Sequence, residues 1–238
     1  MEINKVEADR KLEGIFWVFS PTGKRFLATR NLVRGFTVSG ERLVQYGGHE
    51  YRLWEPSRSK LAAAIVKGLD SLPIKPGSKV LYLGAANGVT SSYVSDIVGK
   101  NGLVYCVEFS AQSMEDLIRV CLKRENMLPI LADARFVESY RGMVDGQMDV
   151  VYEDVADKEQ DRIMIINAEA FLKKNGSGLL AVKARCVDSA APPRKIYDRM
   201  KEGLAGHFEI EQAMELEPFE KDHEFLSMKY LGQKKSES

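Results

Sequence analysis

Residues 79–88 read Lys-Val-Leu-Tyr-Leu-Gly-Ala-Ala-Asn-Gly. Val80 to Leu83 is an uncharged apolar run that glycine stops after four residues. Such a run reads as a buried strand, and the G-x-x-x-G that follows reads as a tight turn into a helix over about Thr90–Val98. The pattern then repeats. Leu103–Glu108 is a second strand, with a helix over Ser113–Arg124, and Pro129–Leu131 a short third strand. Asp149–Glu153 is a fourth, before a helix at Gln160–Lys173; Gly178–Lys183 is a fifth, before a helix near Pro193–Leu204. Strands alternating with helices at this spacing imply a parallel, doubly wound α/β sheet. Phe208–Glu215 and Glu224–Tyr230 leave no room for a helix between them, so they imply an antiparallel hairpin at one edge.

Upstream the pattern differs. Gly14–Phe19, Arg25–Thr29, Leu43–Tyr46 and Glu50–Trp54 are short aromatic or β-branched runs separated by Ser20-Pro21-Thr22-Gly23 and Gly47-Gly48. They read as a small antiparallel β unit over residues 1–55. Ser57 is placed to cap a helix over Arg58–Leu69, which opens the main domain, residues 56–232. Gln233–Ser238 reads as a frayed tail. A Rossmann-like sheet of seven strands with an antiparallel edge hairpin is the architecture of the S-adenosylmethionine (SAM)-dependent methyltransferase domain.

Composition narrows the class. The 45% hydrophobic and 29% charged content argues against disorder. No apolar run approaches the roughly 20 residues that span a bilayer, so no membrane role is expected. No signal-peptide pattern opens the chain, and Cys106, Cys121 and Cys186 form no CxxC. Neither a disulfide framework nor a metal site is indicated, and the expected compartment is the cytoplasm. The 34 basic residues balance 34 acidic ones, with net +4 over residues 1–60 and net −4 over the rest. A chain that grips RNA alone usually carries a basic excess, so any RNA affinity needs help from elsewhere.

Polar residues recur at the strand ends, where open α/β sheets bind ligands. Gly84, Ala85 and Gly88 form the first turn, with small residues that let backbone N–H groups approach a nucleotide-type ligand. Glu108 ends the second strand 20 residues after Gly88, where a carboxylate takes ribose hydroxyls. Asp133 follows the third strand, placed to accept from an adenine amino group. Asp154 follows the fourth and Lys183 ends the fifth, so a buried lysine stem beside a carboxylate is expected.

The chain resembles the fibrillarin family, in its short archaeal form without a glycine- and arginine-rich extension. The likeness rests on WEPSRSKLAAAI at 54–65, VLYLGAANG at 80–88, VSDIVG at 94–99 and GLVYCVEFS at 102–110. It continues through ADAR at 132–135, EDVAD at 153–157, VKARCVDS at 182–189 and LEPFEKDHEF at 216–225. It implies a SAM-dependent 2′-O-methyltransferase acting on RNA ribose, rRNA and also tRNA. The family's cofactor positions fall on Val89, Thr90, Glu108, Phe109, Asp133, Ala134, Asp154, Val155, Ala156 and Asp157. The Lys-Asp-Lys-His set of ribose methyltransferases falls on Lys60, Asp154, Lys183 and His223. Two positions depart from the family's pattern: Val89 stands in place of a threonine, and Asp157 in place of a glutamine. The resemblance also implies partners: a box C/D guide RNA with its target RNA, a Nop-domain scaffold protein and a kink-turn-binding ribosomal-type protein. Two alternatives stand: a SAM enzyme for a protein or small molecule, which the strand-end residues alone also permit, and a SAM-binding structural subunit of a ribonucleoprotein, which Val89 and Asp157 make conceivable. Lys60, Lys183 and the basic segment from Arg185 to Lys201 favour RNA.

Overall fold

The computed structural model describes residues 2–232, so the tail expected at 233–238 lies outside the described residues. Two sheets pack together. The first is antiparallel and is built from β1 (Lys5–Ala8), β2 (Ile15–Phe19), β3 (Arg25–Arg30), β4 (Leu43–Tyr46) and β5 (His49–Leu53), in the order β1-β2-β3-β5-β4. Gly47 and Gly48 both have positive φ, 55° and 78°, as the two-residue hairpin between β4 and β5 requires. The strand β1 was not expected from the sequence. Its residues Lys-Val-Glu-Ala carry no apolar run, and it forms only because β2 offers an edge to pair with.

The helix α1 (Lys60–Lys67) starts later than expected. Pro56–Arg58 makes a single 3-10 turn, and Ser59 rather than Ser57 is the cap. Ser59 has extended backbone, φ −158° and ψ 119°, and its hydroxyl accepts from the Ala62 N–H. Gly68, left-handed at φ 100°, ends the helix before Leu69.

The second sheet follows. Its elements are β6 (Lys79–Leu83), α2 (Val89–Val98), β7 (Leu103–Glu108), α3 (Ala111–Cys121), β8 (Met127–Leu131), β9 (Met148–Glu153), α4 (Gln160–Phe171), β10 (Leu172–Lys183), α5 (Ala184–Val187), α6 (Pro193–Leu204), β11 (Phe208–Glu215) and β12 (His223–Tyr230). The strand order is β11-β12-β10-β9-β6-β7-β8. The expected seven-stranded, mostly parallel sheet is present, and β12 runs antiparallel to both neighbours. The last strand is therefore inserted between β10 and β11, and β11 forms the edge. The strand β10 also begins six residues earlier than expected. Its start carries a register shift between Leu172 and Ser177, so the polar Lys173-Lys174-Asn175 stretch hides it from a hydrophobicity reading.

Side chains along β6 alternate between two cores. Val80 and Tyr82 pack with α1, α2 and α3; Leu81 and Leu83 pack with α4 and α6. The first core also takes Ile15, Leu27 and Trp54 from the N-terminal sheet. A buried charge network ties the two sheets further. Asp96 on α2 accepts from Thr29 Oγ1 at 2.7 Å, the Leu32 N–H at 2.9 Å, Arg52 at 2.8 Å and Arg124 at 2.7 Å. Arg52 also reaches Glu41 at 2.6 Å and lies over the Tyr93 ring. Burial alone would raise the Glu41 carboxyl, but the Arg52 charge and backbone N–H donors overcome it and hold the pKa at about 2.

Candidate active site

The order of strands reverses beside β6: α2 carries the chain to β7 on one side, and β9 lies on the other. A crevice opens at the strand C-termini at such a point. Here it is a cavity of about 270 Å³ that includes Gly84, Ala86, Glu108, Asp133, Asp154 and Lys183 in its walls.

Gly84 shapes it through packing. Its φ is +79°, and a Cβ there would meet the Asp154 carbonyl oxygen at 2.9 Å and the Val155 nitrogen at 3.1 Å. The Asp154 N–H donates to the Leu83 carbonyl at 2.9 Å, so this close approach fixes where Asp154 leaves β9. Gly88, at φ +85°, caps α2, and its missing Cβ makes room for Leu117 and Val120 of α3. The space that each glycine provides is thus taken by protein. Ala85 is buried in the core, and its neighbour Ala86, left-handed at φ 47°, lines the cavity. The Ala86 N–H donates to Glu108 Oε2 at 2.8 Å, and the Ser110 N–H donates to Oε1 at 2.8 Å. Those bonds lock the buried Glu108 carboxylate and leave it lone pairs for two hydroxyls.

Phe109, Asp133, Ala134, Val155, Ala156 and Asp157 line the same cavity. Phe109 is 75% exposed, an aromatic face left to solvent at its mouth. Val89 and Thr90 sit differently. Val89 lines a separate cavity against the N-terminal sheet, and Thr90 Oγ1 bonds to Ser59 Oγ at 3.1 Å.

The sequence reading missed Arg135. Its Nε lies 3.1 Å from both oxygens of Asp133 and its Nη2 lies 2.6 Å from Oδ2, while Nη1 stands 3.7 Å from Asp157. Hydrogen bonds from this side chain hold the Asp133 carboxyl below its usual range. Asp157 therefore enters the cavity wall with a cation beside it. The available signal was an arginine between acidic strand ends. Nothing in the sequence distinguishes Ala86 from Ala85.

The expected lysine–aspartate–lysine cluster is assembled. Lys183 Nζ lies 2.8 Å from Asp154 Oδ1 and donates to the Asp154 carbonyl at 2.7 Å. Lys60 Nζ lies 3.2 Å from the same Oδ1 and 3.5 Å from Oδ2. All three side chains are largely buried. Gln160 orients the end of β10: its Oε1 accepts from the Lys183 N–H at 3.0 Å, and its amide donates to the Val155 and Ala181 carbonyls. His223 is the register partner of Lys183 across β10 and β12, which places both side chains on one face. Its Nδ1 lies 2.6 Å from the Lys221 carbonyl, which fixes the ring. Glu153, one residue before Asp154, is wholly buried, and neither oxygen has a partner among the described residues. Burial pushes its carboxyl well up, only partly opposed by the Lys183 charge. Among the described residues no cluster of histidine, cysteine or carboxylate side chains could hold a metal ion.

Comparisons with known proteins place the chain in a family. A fibrillarin-like rRNA/tRNA 2′-O-methyltransferase of Methanopyrus kandleri is 45% identical over 229 residues, 96% of this chain and 98% of that protein. The crystal structure of Aeropyrum pernix fibrillarin with natively bound S-adenosyl-L-methionine superposes with a TM-score of 0.90 at 44% identity, covering 96% of this chain and 99% of that one. A fibrillarin from a fibrillarin/Nop5p complex superposes with a TM-score of 0.82 at 36% identity, covering 93% and 100%. The family model described as Fibrillarin matches residues 6–232, and the chain belongs to that family.

Proposed function

We propose that this chain is a SAM-dependent RNA 2′-O-ribose methyltransferase, the catalytic subunit of a box C/D guide ribonucleoprotein that modifies rRNA and tRNA. The observation that carries the reading is Asp154 holding both Lys60 and Lys183 at the rim of a nucleotide-sized cavity. Support comes from relatives named as rRNA/tRNA 2′-O-methyltransferases and from a fibrillarin solved with SAM bound.

The cavity fits the cofactor. Glu108 presents a preformed carboxylate for ribose hydroxyls, Asp133 stands at the next strand end, and Asp154 offers negative charge where a sulfonium would lie. When bound, SAM supplies an activated methyl group. The chain must then hold a ribose 2′-oxygen on the axis of that methyl, and positioning of this kind supplies much of the rate. A lysine ammonium has three N–H donors. Lys183 spends one on the Asp154 carbonyl and stands in ion-pair contact with Oδ1, which fixes its direction and leaves donors for the hydroxyl oxygen. As an ammonium it stabilises negative charge as that builds on the oxygen. Lys60 adds positive potential for the adjoining phosphate. His223, held on the same face, is placed to take the proton toward solvent.

A Nop-domain protein is the proposed scaffold, by likeness to the fibrillarin/Nop5p complex, with a guide RNA and a kink-turn-binding protein completing the particle. Net zero charge supports delivery by partners. The test is transfer of labelled methyl to RNA carrying 2′-OH or 2′-deoxy at the target. Transfer is expected to 2′-OH RNA alone, fast in the assembled particle and slow for the bare chain. Equal labelling of the deoxy substrate would refute ribose 2′-O chemistry. Equal rates with and without partners would refute the delivery argument.

A further inference from the structure

A cationic recess lies away from the methyl-transfer site. It is a cavity of about 590 Å³ where three turns meet: residues 32–34 after β3, Lys100–Gly102 before β7, and Lys123–Asn126 before β8. These are the N-terminal ends of the parallel strands. Glu108 ends β7 at the opposite edge, so the recess is about 20 Å from the cofactor crevice at ~3.3 Å per strand residue.

Arg34, Lys100, Lys123 and Arg124 line it, against the single carboxylate of Glu125. Lys100 and Lys123 are exposed, and neither has a hydrogen-bond or ion-pair partner among the described residues. The ordinary account of such lysines is compensation of a helix C-terminus. That need is already met here. The Ser95 and Gly99 carbonyls accept from the Asn126 amide, the Val98 carbonyl from the Gly77 N–H, and the Val120 and Cys121 carbonyls from the N–H groups of Lys123 and Arg124.

Arg124 forms part of the wall behind these lysines. It is fully buried, and its terminal nitrogens are spent on Asp96, Ser95 and Asn31. Its Nε–H has no acceptor among the described residues. That nitrogen is sealed from the recess, so the donors a ligand there would meet are those of the exposed Lys100 and Lys123. The recess holds no aromatic side chain, so it offers charge and donors without a stacking surface. That combination suits a phosphodiester group and reads no base.

We propose that this recess is a second anchor for the RNA backbone, taking a phosphate of the substrate or guide strand remote from the reacting ribose. The assignment rests on the RNA reading above. Its role is to fix how a delivered duplex lies on the chain, so it acts on affinity and leaves the chemical step alone.

The test uses the full chain, a fluorescent RNA duplex and a salt titration. Each phosphate contact contributes roughly 0.7–0.9 to the slope of log K against log salt. The double variant Lys100→Gln/Lys123→Gln is expected to flatten that slope by about 0.7–0.9, one phosphate contact, and to raise KM in the assembled particle, with kcat unchanged. Both positions are exposed, so folding is preserved, and a melting curve confirms it. A control that removes two charges elsewhere, Lys5→Gln/Lys174→Gln, is expected to leave the slope within about 0.3 of wild type. An unchanged slope for the recess variant, with methylation intact, overturns the anchor and spares the enzyme assignment. An equal loss in the control overturns it too. So does lysine-dependent binding of an acidic peptide without any effect on RNA. Failure of wild type to methylate 2′-OH RNA counts against the proposed activity alone, because the salt slope is read from binding.

Discussion

Replacement of Lys183 by alanine separates catalysis from cofactor binding and from stability. The ammonium makes an ion-pair contact of 2.8 Å to Asp154 Oδ1 and a hydrogen bond of 2.7 Å to the Asp154 carbonyl, and its remaining donors are free for substrate. Removing it does not orphan Asp154. Lys60 remains 3.2 Å away, a gross attraction of about 5 kcal/mol at an effective dielectric of 20. The folded state loses one hydrogen bond of about 1 kcal/mol, so the melting temperature should drop by no more than about 4 °C. The rate should fall much further. Groups that position and charge a reacting oxygen supply roughly 10²- to 10⁴-fold, or about 2.7–5.4 kcal/mol of barrier. Single-turnover methylation in the assembled particle measures that loss, and calorimetric titration of SAM should give a Kd within about threefold of wild type. Lys60→Ala should cost less, because its contacts are longer, 3.2 and 3.5 Å. Turnover of Lys183→Ala within a few-fold of wild type, in a folded protein that binds SAM, would show that the cluster is an ion pair of the scaffold.

Glu108→Ala should weaken SAM by about 1.5–3 kcal/mol through lost bonds to a charged acceptor, read by calorimetry; unchanged affinity would remove Glu108 from the ribose subsite. Asp96→Ala leaves Arg52 and Arg124 buried without their shared carboxylate, so denaturant unfolding should show a loss of about 3–5 kcal/mol; a loss under 1 kcal/mol would mean that the network is solvated. Glu41 titrates at about 2 in the folded chain against 4.5 unfolded, so its contribution is present above pH 4.5 and is lost as pH falls toward 2. Glu41→Gln should therefore be destabilised relative to wild type at pH 6 by about 3 kcal/mol, with the gap closing below pH 3; a gap independent of pH would refute the ion-pair account.

The alternation of apolar strands with helices, the glycine turn after β6 and the polar residues at strand ends are written locally. Short-range patterning settles each, and so the doubly wound sheet and the acidic row Glu108, Asp133 and Asp154 were legible from residues alone. Assembly was not. Lys60 and Asp154 are 94 positions apart, and only the packing of α1 on the sheet brings the first lysine to the second lysine's carboxylate. Packing also decided that Ala86 faces the cavity while Ala85 joins the core, because a left-handed backbone at Ala86 turns its N–H to Glu108. Arg135 became part of the site because the loops after β8 and β9, two strands separated in the sheet by β6 and β7, line the same cavity, which lets one guanidinium approach Asp133 and Asp157. The strand β1 exists because β2 has a free edge, and β12 sits inside the sheet because β10 offers an antiparallel partner. The sequence by itself determined most of the elements, β1 and the start of β10 excepted, and the residue types at their ends, since local hydrophobic period and turn chemistry set those. Which side chains share a carboxylate, a cavity or a buried charge was decided only in the tertiary structure, since those contacts depend on distances between segments that no local pattern encodes.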